Sequence, residues 1–147
     1  KGDYDWMQKE RWKDKFRDVI LDLCQSTMEK MIQKSRIFIS SYDATTYNQT
    51  LSANIPTIMC WDPKLWKTIE NSKSIFSDLK KNQIFHDTPT SASKFINTIW
   101  DNIEEWWNSK EVQNTRNNYC ELFAYRVNKE LDILTNIFEE QINNKYK

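Results

Sequence analysis

Two short apolar runs, Arg36-Ile37-Phe38-Ile39-Ser40 and Ile55-Pro56-Thr57-Ile58-Met59-Cys60-Trp61, stand about fifteen residues apart and constrain the fold more than any other feature. Each is rich in β-branched and aromatic side chains and apolar enough for a strand buried on both faces. The segment between them, Ala44 to Ala53, has the length of a helix. Strand, helix and strand then form a right-handed crossover unit, which requires the two strands to be parallel.

The flanking segments predict helices around that unit. Phe16, Val19, Ile20, Leu23, Thr27, Met28, Met31 and Ile32 lay one stripe along a helix of about twenty residues, expected to pack on the sheet. Asp62-Pro63 reads as an N-cap followed by proline, opening a helix from about Lys64 to Lys80. Thr88-Pro89 repeats the signal, with a stripe of Ala92, Phe95, Ile96, Ile99, Trp100, Ile103, Trp106 and Trp107. Gln83-Ile84-Phe85-His86 before it is a candidate third strand. Ser109, with Glu111 in the first turn, caps a last long helix carrying Phe123, Val127, Leu131, Leu134 and Phe138. The tail from Asn143 to Lys147 is expected to fray. The sum is an α/β half-domain with more helix than sheet, and 147 residues fit one domain.

Composition excludes several functions. One glycine in the whole chain rules out glycine-rich phosphate loops and the G-x-S-x-G elbow. Twenty-one basic residues balance twenty-one acidic ones without forming a stripe, which disfavours general binding to nucleic acid or anionic membrane. A single histidine, His86, excludes repeated-His metal sites, so no metal is expected; nor is any cofactor. Cys24, Cys60 and Cys120 are odd in number and widely spaced, as reduced thiols of a cytoplasmic protein are. No apolar run nears the roughly 18 residues of a membrane-spanning helix.

The chemistry that remains lies in Ser40-Ser41-Tyr42-Asp43-Ala44-Thr45-Thr46, where a buried strand ends and a helix begins. In an open parallel sheet the carboxyl ends of the strands form the ligand crevice. A helix N-terminus there offers unpaired N–H groups and about half a positive charge, suited to a diphosphate even without glycine. The competing reading is simple helix capping, with Asp43 or Ser41 accepting from first-turn amides. His86 reads most simply as a residue after a strand. Trp61 and Trp66 follow the second strand on the crevice side, whereas Trp100, Trp106 and Trp107 recur at core spacing. Arg11 and Arg116 are candidate anion partners.

The runs Ser35 to Thr46, Asn54-Ile55-Pro56-Thr57-Ile58 and Trp61-Asp62-Pro63 resemble the C-terminal region of transferases of bacterial surface-carbohydrate biosynthesis. Tyr4-Asp5-Trp6, Glu10-Arg11-Trp12, Ile84 to Pro89 with Ser91-Ala92, and Trp106-Trp107 through Val112-Gln113 and Arg116 to Phe123-Ala124 extend the likeness. It covers about residue 3 to about residue 124. More distantly, the strand-turn-helix is similar to the Asp-Tyr-Ser-Ser turn of teichoic-acid glycerophosphotransferases, whose two-domain type B glycosyltransferase fold holds the donor nucleotide in a Rossmann-like C-terminal half. The resemblance implies that residues 1–147 are such a half, joined to an N-terminal domain of the same polypeptide. It implies a nucleotide-activated sugar or alditol as ligand, diphosphate contacts at Thr45 and Thr46, and a turn shaped by Ser41, Tyr42 and Asp43. The acid follows Tyr42 here instead of preceding it, and Gln49 stands where many such enzymes carry an acid for the donor ribose. His86 completes the implied binding set, and no residue is assigned to catalysis. A different class of function stays open: a docking module without nucleotide, prone to self-association. A receiver-like domain would need acids clustered at several strand ends, of which only Asp43, Asp62 and Asp87 qualify.

Overall fold

Phe38–Ser40 (β1) and Thr57–Cys60 (β2) pair in parallel, with Phe38 opposite Thr57 and Ser40 opposite Met59. The computed structural model describes residues 6–16, 18–22, 25–66, 70–125 and 130–145. A third strand, Phe85–His86 (β3), lies parallel to β2, so the sheet order is β1-β2-β3. All four residues of β2 are buried, as a central strand covered on both faces requires. Strand periodicity divides its side chains. Met59 joins Tyr47, Leu51, Leu79, Trp107, Val112 and Tyr119 on one face, and Ile58 and Cys60 meet Ala92 on the other.

The crossover between β1 and β2 contains the expected helix, Thr45–Ser52 (α3). Thr88-Pro89 also acts as expected. The Thr88 hydroxyl accepts from the Ser91 amide at 3.2 Å, opening the helix Pro89–Ile99 (α5), which packs on β2 and β3. On the opposite face, Lys110–Phe123 (α7) packs across α3 and the helix Lys73–Lys81 (α4), whose buried residues are Ile75 and Leu79. The protein is thus α/β, a short parallel sheet flanked by helices.

Four helix expectations require correction. Residues 1–35 form a compact unit of their own, in which the helix predicted over Phe16 to Ile32 is reduced to Met28–Gln33 (α2), while Gln8–Lys15 (α1) precedes the stripe. Thr27 leaves the helical conformation and its hydroxyl accepts from the Lys30 amide, so it starts a helix instead of continuing one. Phe16, Val19, Ile20, Met28 and Met31 are exposed; Leu23 lies outside the described residues. Asp62-Pro63 opens only a turn: the Asp62 carboxylate accepts from the Lys64 amide and its carbonyl from the amides of Leu65 and Trp66. The helix begins at Lys73, after a 3-10 turn at Glu70–Ser72, where buried Ile75 and Leu79 recur four residues apart.

The stripe from Ala92 to Trp107 breaks after Ile99, and Ile103–Trp107 forms a short helix of its own (α6). This turns Trp107 into the α3/α7 face and leaves Trp100 outside the core, exposed beneath the Arg36 guanidinium at 4.8 Å. The last long helix is two: α7 ends at Phe123, and Glu130–Lys145 (α8) follows, with Val127 outside the described residues. Ser109 precedes α7 without a side-chain cap bond. Among the described residues no helix is long and apolar enough to cross a membrane.

Candidate functional site at the carboxyl edge of the sheet

Parallel pairing brings the segments after β1, β2 and β3 to one edge of the sheet. There the chain leaves β1 through Ser40, whose buried hydroxyl donates to the Tyr42 carbonyl at 2.9 Å and tightens the turn. Ala44, in extended conformation, is the N-cap of α3 and offers no side-chain acceptor. Thr45 and Thr46 occupy the first turn and Gln49 lies one turn along from Thr45 on the exposed side. The predicted capping by Asp43 or Ser41 is absent, because the Asp43 carboxylate instead accepts from the Tyr47 hydroxyl at 2.6 Å. Burial, then the hydrogen bond to Asp43, pushes the Tyr47 phenol far up its titration range, so it remains a donor. Among the described residues no side chain caps the first-turn amides of α3. At α5, which also follows a strand at this edge, Thr88 fills the equivalent role.

Aromatic rings flank the open turn. Tyr42, from the segment after β1, and Trp66, from the segment after β2, lie 6.5 Å apart at 45° and both stay largely exposed. Trp61, by contrast, is a core residue packed on Tyr47, Phe76 and Phe85, and does not line the edge.

His86 ends β3 but is not brought to this turn. It is buried on the α5 side, 5.5 Å from the Phe95 ring. Its Nε2 lies 3.1 Å from the Gln83 carbonyl, a pure acceptor, and so carries a hydrogen, while its Nδ1 lies 2.9 Å from the Ser91 hydroxyl. Burial lowers its pKa, against the opposing pull of the Gln83 carbonyl and Asp87. Asp87 is in turn paired with Lys80. Among the described residues no three His, Cys, Asp or Glu side chains converge as metal ligands, and the carboxylates of Asp43, Asp62 and Asp87 form no cluster.

The far end of α3 is built from residues whose roles were not legible. Asn54 takes a left-handed conformation at φ 57°, ending the helix. The Trp107 indole N–H donates to the Asn54 carbonyl at 3.2 Å and its side-chain oxygen at 3.0 Å, and the Gln113 amide donates to the same oxygen. The Arg116 guanidinium donates to the Leu51 carbonyl at 2.8 Å, a cation at a helix C-terminus, and so is no free anion partner. Tyr119, pushed up to about 12 by burial, donates to the Asn48 side chain.

A family model described as LIC12162 family transferase matches residues 1–138. No curated protein and no solved structure matches the chain.

Proposed function

Because the chain belongs to the LIC12162 family of transferases, we propose that the carboxyl edge of its sheet holds a nucleotide-activated sugar or alditol donor for surface-carbohydrate synthesis on the cytoplasmic side. The reading rests on one observation: α3 starts without a side-chain cap after a parallel strand, at the edge where the exposed rings of Tyr42 and Trp66 meet. The uncapped first-turn amides and the helix dipole favour the diphosphate, with the Thr45 and Thr46 hydroxyls as further donors. Ser41 and Gln49 are polar groups within the same turn and helix, suited to sugar hydroxyls, while Asp43, held by the Tyr47 hydroxyl, shapes the turn. An exposed ring presents a face on which a nucleobase stacks. His86, with both ring nitrogens engaged, shapes the neighbouring strand end without touching the donor.

In this reading an acceptor hydroxyl attacks the donor, and negative charge grows on the departing phosphate. Amides already aimed at that position lower the barrier, since they need no reorganisation as the charge appears. The acceptor and its general base are supplied by an N-terminal domain of the same polypeptide.

Calorimetric titration with a panel of nucleoside diphosphates tests the reading. One nucleotide binds the intact chain, and Thr45→Ala with Thr46→Ala weakens it about tenfold, about 1.4 kcal/mol, with little change in unfolding midpoint. Failure of every nucleotide to bind folded protein at millimolar concentration would replace this reading with that of a docking module.

A further inference from the structure

His86 is the one histidine of the chain and is 3% exposed at the end of β3. Its ring ties three segments together: Nε2 bonds the Gln83 carbonyl in the turn before β3, Nδ1 meets the Ser91 hydroxyl in the first turn of α5, and the ring lies against Phe95 one turn further along that helix. Gln83 sits at φ 61°, a left-handed conformation that a residue with a Cβ holds where its surroundings fix it. The bond from His86 to its carbonyl is one of those constraints. The neighbours of the ring come from four elements. On β3, Asp87 favours the charged ring but is paired with Lys80 of α4. On β2, Cys60 stands opposite His86 in register, and burial pushes its thiol up, keeping it neutral. From α5 the ring meets a hydroxyl and an aromatic ring. Burial outweighs the pull of Asp87 and the Gln83 carbonyl, so the ring binds a proton less readily than a free imidazole.

We propose that His86 is a pH-sensitive latch that fastens the first turn of α5 and the Gln83 turn to the end of β3. Uncharged, with its hydrogen on Nε2, the ring presents an acceptor at Nδ1 and the Ser91 hydroxyl donates to it. A proton taken up at Nδ1 makes that atom a donor, so the hydroxyl has to reverse, and a charge is left in a site closed to water. The charge is relieved when the ring reaches solvent, which frees the Ser91 hydroxyl and the Gln83 carbonyl together. In the opened or unfolded state the imidazole regains its ordinary pKa of about 6.5 and takes the proton more readily than in the closed state. The latch is therefore at full strength above about pH 6.5 and weakens as the pH falls through that value towards the lower pKa of the closed state. Across that window the opening equilibrium shifts by up to about tenfold per pH unit.

NMR titration of the full chain tests this, since a single histidine gives a single imidazole signal. The ring titrates below about 6.5. Over the same pH range the Ala92 amide, which bonds the Thr88 carbonyl in the first turn of α5, loses protection against hydrogen exchange after correction for the intrinsic rate. His86→Gln keeps a donor and an acceptor but cannot titrate, so the protection at Ala92 no longer changes between about pH 5.5 and about pH 7.5. Ser91→Ala, at an exposed position, lowers that protection already at the upper pH, which keeps the test decisive where His86→Gln fails to fold. A ring that titrates at or above the ordinary value, protection at Ala92 that ignores the titration, or a pH dependence that survives in His86→Gln overturns the proposal. None of these readouts depends on nucleotide binding.

Discussion

The two ends of α3 are treated in opposite ways. At its carboxyl end, Asn54, Trp107, Gln113 and Arg116 close a polar network in which helix carbonyl and turn are both satisfied. Inside, the Thr57 hydroxyl lies 2.9 Å from Thr50 Oγ1 and 2.7 Å from the Ile55 carbonyl. At its amino end no side chain caps the helix, although Ser41 and Asp43 are close in sequence, and Tyr47 holds Asp43 away. A missing cap forgoes about 1 kcal/mol. One end of the helix therefore anchors it to α6 and α7, and the other is left without a side-chain cap.

The largest effect expected from testing this contrast is at the closed end. Trp107→Ala removes a side chain that is 2% exposed, together with its two hydrogen bonds to Asn54. We expect a loss of about 3–5 kcal/mol of unfolding free energy in urea titration. Nucleotide affinity, measured where the variant is still folded, stays within about twofold. An equal loss of affinity would mean that the two ends act as one unit.

At the open end the two properties move in opposite directions. Ala44→Asp supplies the absent cap, raising stability by about 1 kcal/mol in thermal or chemical unfolding. The same carboxylate occupies the first-turn amides and repels a diphosphate, so nucleotide affinity falls about tenfold in titration. If stability and affinity rose together, the bare amino end would not be the anion site.

The elements legible in the sequence were those with strong local signals. Phe38–Ser40 and Thr57–Cys60 are strands because β-branched and apolar residues run together, and Thr88-Pro89 starts a helix because hydroxyl and fixed φ act within one turn. Elements set by tertiary context were not. Periodicity runs straight through Thr27 and through Trp100-Asp101-Asn102, and only the burial of Trp107 against α3 and α7 shows why the second break is needed. The candidate turn was recognised from its position after β1, but the diversion of Asp43 was not. That depends on a tyrosine four residues later, on the same helical face as the turn, whose ring is fixed by Trp61 and Tyr119. The runs Asn54 to Ile58 and Trp106 to Arg116 supply much of the closed end of α3.

The smallest expected change in stability comes from the residue that keeps the two ends different. Tyr47→Phe removes the 2.6 Å hydrogen bond to Asp43 and leaves the buried ring in place. Loss of that bond destabilises by about 0.5–1.5 kcal/mol. The freed carboxylate can then turn to the first-turn amides of α3, a cap of about the same size. The two changes offset, so the unfolding free energy moves by less than about 1 kcal/mol. Nucleotide affinity does not escape: with Asp43 on the amides, binding weakens severalfold in titration. Adding Asp43→Ala to Tyr47→Phe removes the competing carboxylate and brings affinity back towards that of the intact chain. If Tyr47→Phe leaves affinity unchanged, the orientation of Asp43 has no part in keeping the amino end open. If affinity falls and the double variant does not recover it, Asp43 itself contacts the ligand, and Tyr47 acts by aiming that carboxylate at a donor hydroxyl.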